Sequence, residues 1–116
     1  MRGTGRALEA SGWKWHVSPM FIAAIAATES SLGRAACWDR YNAFGLGSCH
    51  GSWVPRFRSW AHVYDFQARF LAQHWPAART TWDVRGYAAC DSCWSRKTAW
   101  WMSRLFGVSA DVRYGR

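Results

Sequence analysis

One carboxylate in the sequence stands where ordinary folding does not explain it. Glu29 lies near the end of a predicted helix over residues 19–32, and Ile22, Ile25 and Ala26 precede it at helical spacing. The carboxyl group therefore points the same way as the apolar face. Burial disfavours the ionised form and the last helical turn carries partial negative charge, so both effects predict a raised pKa for Glu29. A carboxylic acid that is protonated near neutral pH can act as a general acid.

The alternative for Glu29 is a residue at the helix rim that bends into water. The remaining six carboxylates have ordinary explanations. We expect Asp65 and Asp83 to complement the helix dipole in first turns, and Asp39 to pair with an arginine. Asp91 either caps the last helix or faces a groove. The other two lie on an exposed terminal helix and in the C-terminal tail: Glu9 and Asp111.

The segment that follows this helix, residues 34–58, has no helical period. Glycines and Pro55 interrupt it, which predicts a long loop or a minimal β-hairpin. A loop of this length in a compact domain is usually functional. It holds aromatic side chains that could line a groove for the apolar faces of sugars: Trp38, Tyr41, Phe44, Trp53 and Phe57.

The four cysteines fall into two pairs. Two disulfides, Cys37 to Cys49 and Cys90 to Cys93, would pin two loops of an extracytoplasmic protein. Four thiolates could instead bind one zinc ion, with His50 as a substitute, and the CxxC pair could be a redox motif. We favour the disulfides, because one pair lacks the zinc-knuckle spacing and no βαβ pattern accompanies the other. We expect neither a metal nor a cofactor.

The remaining pattern is helical. Gly12 and Gly107 are expected to end the first and last helices, and the two tryptophans after Gly12 to lie against the central helix. Because the alternation of strands is nearly absent, we expect one mainly α domain over residues 1–116, with a frayed tail over 108–116. Helices are predicted over residues 4–11, 19–32, 60–75 and 93–106, with a short helical turn over 82–85.

Composition points to an anionic partner. The 116 residues include 10 tryptophans, and 15 Lys and Arg outweigh 7 Asp and Glu, for a net charge of +8. That charge suits nucleic acid, an anionic membrane surface or a bacterial wall rich in acidic polymers. The basic residues are scattered, so we expect no dedicated nucleic-acid partner. No stretch reaches the roughly 18 apolar residues of a membrane span, and no signal core follows Met1. We expect a monomer that works outside the cytoplasm, either extracellular, periplasmic, associated with the cell wall or delivered by a phage.

The order of the motifs resembles a known family. It is similar to the peptidoglycan-cleaving glucosaminidases of glycoside hydrolase family 73, within the lysozyme-like superfamily, over residues 18–106. The family's usual Tyr-Ala-Thr-Asp run appears here as Tyr87-Ala88-Ala89-Cys90-Asp91, which contains an additional cysteine. The related lytic transglycosylases also have a Glu-Ser pair, but their Gly-Leu-Met-Gln signature is missing, and Gly45-Leu46-Gly47-Ser48 stands in its place. The segments that carry the resemblance are Ala27-Thr28-Glu29-Ser30-Ser31-Leu32-Gly33, Tyr41-Asn42-Ala43-Phe44-Gly45-Leu46-Gly47, Phe57-Arg58-Ser59-Trp60 and Gly86-Tyr87-Ala88.

The resemblance implies a fold and an activity. It implies a small lysozyme-like helical domain whose central helix carries the catalytic Glu29, with Tyr87 near the reacting sugar. Asn42, Phe44 and Gly45 would form the floor of the sugar site. We expect a hydrolase of peptidoglycan strands, with lytic transglycosylase or muramidase activity as the alternative, or a non-catalytic module that binds wall glycan or nucleic acid. The expected sugar contacts are Trp38, Tyr41, Trp53 and Tyr87, with Asp91 beside them.

Overall fold

The computed structural model describes residues 1–36, 39–47 and 56–114. The described residues form four α-helices: α1 (Gly5–Trp15), α2 (Pro19–Ser30), α3 (Trp60–His74) and α4 (Asp91–Phe106), with a 3₁₀ turn at Thr81–Asp83. The prediction of a mainly helical chain is confirmed. Within these residues, β pairing is limited to two isolated bridges, Val17 with Arg113 and Thr80 with Asp111.

Helix α2 lies at the centre of the core. Ser18 caps it by accepting a hydrogen bond from the Phe21 N–H at 3.3 Å, and Pro19 takes the first helical position. The sequence predicted burial of one face, but every residue from Phe21 to Ala27 is buried. A helix of Ala, Ile and Phe that is apolar all round has no solvent side, so it lies among neighbours. It ends at Ser30, and the next three residues, Ser31, Leu32 and Gly33, all take the left-handed conformation, with φ of 52°, 61° and 89°.

Helix α1 continues through the glycine that was expected to end it. Gly12 is buried inside the helix, and a Cβ there would lie 2.6 Å from the Val17 carbonyl oxygen and 2.9 Å from Cδ of Pro19. Gly12 therefore allows the connector to pass close to α1. The prediction that both following tryptophans lie against the central helix is wrong for Trp13, which is 60% exposed. Trp15 donates a hydrogen bond to Asp65 on α3 at 2.8 Å.

Residues 108–114, the described part of the tail that was expected to be frayed, are paired with the rest of the fold. The Ser18 N–H donates to the Val112 carbonyl at 2.8 Å, and the Val112 N–H donates to Arg79 at 3.0 Å. The Val112 side chain is buried. The guanidinium of Arg113 donates to the Ala78 carbonyl at 3.1 Å. The tail thus lies between the start of α2 and the residues that connect α3 to α4, and it is hydrogen-bonded to both.

Helix α4 matches the expected stop and begins slightly earlier than expected. Gly107, with φ of 66°, closes it, as the sequence predicts. Cys90 is its N-cap and accepts from the Cys93 N–H at 3.2 Å. None of the described helices is long and apolar enough to cross a membrane.

Candidate active site

Helices α2 and α4 meet at Glu29. The half-buried carboxyl group projects from the last turn of α2, and its Oε2 accepts a hydrogen bond of 2.9 Å from the indole Nε1 of Trp94 on α4. Trp94 is 4% exposed, and its ring meets Phe21 edge to face with centroids 6.2 Å apart. Because a buried indole N–H needs an acceptor, Trp94 and Glu29 satisfy each other.

Burial raises the pKa of Glu29 above its ordinary value. The hydrogen bond from Trp94 and the positive charge of Lys97 both favour the carboxylate and oppose this rise, but desolvation is the larger effect. The direction agrees with the expectation from the sequence. Glu29 is therefore a carboxylic acid that keeps its proton to higher pH than an exposed glutamate does, with two groups ready to stabilise its anion.

The loop at Gly45 covers the other carboxyl oxygen. Gly45 has φ of 67°, and a Cβ at this position would lie 2.8 Å from Oε1 of Glu29. Only glycine fits such a contact and such a conformation without strain. Gly45 itself is exposed, so this contact with Glu29 lies at the surface of the protein.

Ser30 connects the helix of the acid to this loop. Its Oγ lies 2.7 Å from the Ala43 carbonyl oxygen and 3.1 Å from that of Ala26, and it accepts from the Gly33 N–H at 2.9 Å. The side chain next to Glu29 thus fixes both the helix end and the loop that reaches Gly45. This gives the Glu-Ser pair of the sequence a structural reason.

Asn42 and Phe44 hold the loop from inside. The side chain of Asn42 is 4% exposed, and it donates to the Leu46 carbonyl at 2.8 Å and accepts from the Leu46 N–H at 3.0 Å. Phe44 is completely buried and meets Tyr64 edge to face. The resemblance implied a sugar-binding floor at these positions, but both side chains are turned into the protein. They shape the loop, and Gly45 is the expected floor residue that lies at the surface beside Glu29.

Tyr87 supports the site through its hydroxyl. The hydroxyl donates to the Phe44 carbonyl at 2.7 Å and accepts from Nε2 of Gln67 at 2.9 Å, while its ring stacks on Trp94 with centroids 4.8 Å apart. Burial strongly raises the pKa of Tyr87, and the nearby charge of Glu29 adds to the rise. The hydroxyl therefore stays protonated and engaged, and Tyr87 links α3 and the loop to Trp94.

Asp91 and Asp39 hold backbone turns. Asp91 is the first residue of α4, and its carboxylate accepts from the Gly86 N–H at 2.7 Å and lies 3.8 Å from Arg85. It therefore fixes the turn before Tyr87, and the cap that the sequence assigned to it is Cys90. Asp39 was expected to pair with an arginine, but its oxygens accept from backbone N–H groups. The donors are those of Tyr41, at 2.9 Å, and Phe57, at 2.8 Å.

Two other acidic residues take structural positions. Asp83 accepts from the backbone N–H groups of Arg79 and Thr80, as a helix-start carboxylate should. Asp65 lies in the second turn of α3, not the first. It accepts a hydrogen bond from Trp15 and forms an ion pair with Lys14, both on α1.

The expected aromatic contacts are only partly within the described residues. Tyr41 is half-buried, meets Trp60 edge to face at 5.3 Å, and has the Arg40 guanidinium 4.7 Å from its ring centroid. Trp38 and Trp53 lie outside the described residues. A cavity of about 240 Å³ lies near Phe21 and Trp75, at the opposite end of α2 from Glu29, so it does not serve the acid.

The disulfide between Cys90 and Cys93 is confirmed. It lies at the start of α4, directly before Trp94. The predicted partners Cys37 and Cys49 lie outside the described residues. Across residues 1–36, 39–47 and 56–114, no three His, Cys, Asp or Glu side chains come together as a metal site.

Sequence reasoning missed three residues of this site: Trp94, Lys97 and Gln67. From the sequence, Trp94 is one of several tryptophans in the predicted last helix, and nothing in its spacing singles it out. The available signal was chemical, since a buried tryptophan needs an acceptor and Glu29 is a polar group in an apolar run. Comparisons of the chain with protein-family models, curated proteins and solved structures give no match.

Proposed function

We propose that this protein is a glycosidase that cleaves β-1,4 bonds of peptidoglycan, of the N-acetylglucosaminidase type, with Glu29 as its general acid. The observation that carries the proposal is the environment of this one carboxyl group. It is half-buried, it has a raised pKa, and it lies between the Trp94 indole and the exposed Gly45. The resemblance of the motif order to family 73 glucosaminidases supplies the substrate class.

In the proposed reaction, protonated Glu29 donates its proton to the glycosidic oxygen as the bond from that oxygen to the anomeric carbon breaks. The leaving sugar departs as an alcohol, and positive charge develops on the other sugar. The hydrogen bond from Trp94 and the charge of Lys97 stabilise the carboxylate that results. Attack at the anomeric carbon by water, which returns a proton to Glu29, completes hydrolysis.

We assign no second carboxylate to the proposed reaction, because no other Asp or Glu is among the groups that shift the pKa of Glu29. All seven Asp and Glu lie within the described residues, and the charge that acts on the pKa of Glu29 comes from Lys97. The carboxylates of Asp39 and Asp91 accept hydrogen bonds from backbone N–H groups. A single acid supports a route in which the substrate's own N-acetyl or hydroxyl group attacks first, as in the known exceptions to the two-carboxylate rule.

Charge and cysteine chemistry fit the proposed setting. A net charge of +8 would hold the enzyme on the anionic polymers of a bacterial wall, with a rate that falls as salt rises. The Cys90–Cys93 disulfide is typical of a protein that works outside the cytoplasm.

The test compares Glu29→Gln with Glu9→Gln in the clearing of purified peptidoglycan suspensions. Both changes remove one carboxylate, and Glu9 is exposed on α1. We expect Glu29→Gln to lose about 10²–10⁴-fold in rate, the usual contribution of a general acid, and Glu9→Gln to retain activity. Equal clearing by the two variants would overturn the assignment.

Mass spectrometry of the products decides among the alternatives. Fragments with N-acetylglucosamine at the new reducing end support the proposal, whereas N-acetylmuramic acid at that end indicates a muramidase. An anhydro end indicates a lytic transglycosylase. Tight retention on peptidoglycan without any new end would identify a binding module, in which Glu29 is only structural.

A further inference from the structure

The disulfide at the start of α4 lies on the surface of the protein. Cys90 is the N-cap of this helix and Cys93 is in its first turn, so the bridge spans only Asp91 and Ser92. Both cysteines are exposed. Access to the sulfur atoms is one of the conditions for exchange with an external thiol. The bridge is therefore placed where such a thiol can reach it.

Other contacts also hold the start of α4. The carboxylate of Asp91 accepts a hydrogen bond from the Gly86 N–H at 2.7 Å, and the buried Trp94 donates one to Glu29 at 2.9 Å. These contacts fix the residues on both sides of the first turn. Stabilisation by a disulfide grows with the length of the loop that it closes, and this bridge joins residues only 3 positions apart. A structural role alone therefore gives little reason for the bridge.

The surroundings of Cys90 suit a thiolate. Its Sγ accepts a hydrogen bond from the Cys93 N–H at 3.2 Å, and Oγ of Ser92 lies 3.9 Å from the same sulfur. The N-terminus of a helix carries partial positive charge, which stabilises a negative charge at this position. Helix N-termini and Cys-x-x-Cys pairs are settings in which cysteines are reactive. A donor for the negative charge of a cleaved Cys90 is thus already in place.

The neighbours of Cys93 are cationic. Arg96 and Lys97 follow it by three and four residues, so they lie on the same side of α4, and both are exposed. The acidic residue of this helix, Asp91, lies 3.8 Å from the Arg85 guanidinium, which offsets its charge. Positive charge beside a sulfur stabilises the thiolate that leaves when a disulfide is cut. Both sulfurs of the bridge therefore have a group that stabilises them after cleavage.

We propose that Cys90–Cys93 is a redox-active disulfide that exchanges with external thiols of the glutathione type. In the first step, an external thiolate attacks Sγ of Cys90, the S–S bond breaks, and its electron pair leaves with Cys93 as a thiolate. In the second step, another external thiolate attacks the external sulfur of the mixed disulfide, and Cys90 leaves as a thiolate. Two external thiols are thereby oxidised to one disulfide, and two electrons and two protons pass to the two cysteines.

The reverse steps restore the bridge with an external disulfide as the oxidant. A structural disulfide behaves differently, because such bridges resist reduction by glutathione. Exchange at this bridge does not depend on whether Glu29 is catalytic, so the two assignments can fail separately.

The test incubates the purified full chain with reduced and oxidised glutathione at the cytosolic poise. Free thiols are then alkylated, and the peptides that contain Cys90 and Cys93 are identified by mass spectrometry. We expect more than about half of this bridge to be reduced, because exposed bridges have more oxidising potentials than structural ones. Transfer to oxidised glutathione alone should restore the bridge.

A pair of charge variants tests the role of the cations beside Cys93. Arg96→Gln with Lys97→Gln should slow reduction about fourfold, because an exposed charge pair contributes a factor of about two. Arg6→Gln with Arg104→Gln removes the same charge from exposed positions on α1 and at the end of α4. Arg104 is about 16 Å along the helix from Cys93, beyond the range of an exposed charge at physiological salt, so reduction should keep the parent rate. Equal slowing in both variants would contradict the local role of Arg96 and Lys97.

Two results would overturn the proposal. One is a Cys90–Cys93 bridge that stays oxidised in the glutathione buffer. The other comes from Cys90→Ser with Cys93→Ser, which removes this bridge alone and should keep the helical circular dichroism of the parent chain. A variant that fails to fold would show that the bridge is structural, because an exchange site must leave the fold intact in both of its states.

Discussion

The indole N–H of Trp94 lies 2.9 Å from Oε2 of Glu29, although 65 positions of the chain separate the two residues. This contact sets the acid in place, since it fixes one carboxyl oxygen while Gly45 covers the other. It also places a side chain of α4 in direct contact with the proposed acid on α2. Burial raises the proton affinity of Glu29, and a residue from the far end of the chain partly opposes this rise.

Removal of this hydrogen bond should change how activity depends on pH. Trp94→Phe keeps an aromatic ring but loses the donor that favours the carboxylate, so the pKa of Glu29 rises further. Because the acid must be protonated to act, the alkaline limb of the pH–rate profile moves to higher pH. Trp101→Phe is the matched control, because within the described residues the Trp101 indole N–H has no hydrogen-bond partner. Identical pH profiles for the two variants would contradict this role of Trp94.

Glu29 should reduce stability at neutral pH. Its folded pKa is raised, so the native state binds the proton more tightly than the unfolded chain does. Stability therefore falls as pH rises from the ordinary glutamate pKa through the raised one. Glu29→Gln has no charge to bury, so its melting temperature should exceed that of the parent at pH 7 and the gap should close at pH 4. Thermal unfolding at both pH values tests this, and a gap that stays constant argues against it.

Gly45 should be required for activity more than for folding. Alanine at this position carries the left-handed penalty of about 1–2 kcal/mol and places a Cβ 2.8 Å from Oε1 of Glu29. Gly107→Ala has almost the same φ, 66° against 67°, with no atom within 4 Å of the new Cβ. We expect similar losses of unfolding free energy in urea and loss of activity for Gly45→Ala alone. Activity that falls equally in both would show that strain, and not the contact with Glu29, is responsible.

Gly12 should tolerate alanine poorly even though it is inside a helix. The new Cβ would lie 2.6 Å from the Val17 carbonyl oxygen, so α1 and the connector must separate, at a cost of about 1–3 kcal/mol. Gly5→Ala, in the same helix with open space around it, should be neutral or stabilise by about 0.5–1 kcal/mol. Urea unfolding of both variants measures the difference, and opposite signs are the expected outcome.

Peptide mapping without reductant should find two disulfides. Cys90–Cys93 is present in the structure, and Cys37–Cys49 is the pairing that the sequence predicts for the remaining two cysteines. Mass spectrometry of the alkylated protein should therefore show no free thiol before reduction and four after it. Two thiols alkylated without reductant would exclude the second bridge.

The sequence predicted the helices from local chemistry. Gly107 ends α4 where the sequence predicts, and α2 and α3 begin at the predicted residues 19 and 60, each capped by the serine directly before it, Ser18 or Ser59. The prediction that Gly12 ends α1 was wrong because glycine has two structural uses. Its local effect is to end a helix, whereas here it makes room for a backbone segment from outside that helix, and spacing along the chain carries no record of such a neighbour.

The sequence predicted the acid of the candidate site but not its hydrogen-bond partner. Glu29 was identified because burying a carboxyl group in an apolar helix costs free energy, and this cost suggests a function. Its partner was not, because several tryptophans could have supplied the donor and only the packing of α2 against α4 selects Trp94. Asn42 and Phe44 were placed on the surface of the groove, yet the loop satisfies its own backbone through Asn42 and so turns both side chains inward.

The pairing of the tail with the start of α2 has a consequence for the order of folding during synthesis. The Ser18 N–H finds its acceptor at Val112, so this hydrogen bond at the start of the central helix cannot form until almost the whole of the described chain has been synthesised. Contacts this far apart in sequence form late and slowly. Until α4 and the tail pack onto α2, part of the apolar surface from Phe21 to Ala27 stays exposed to solvent.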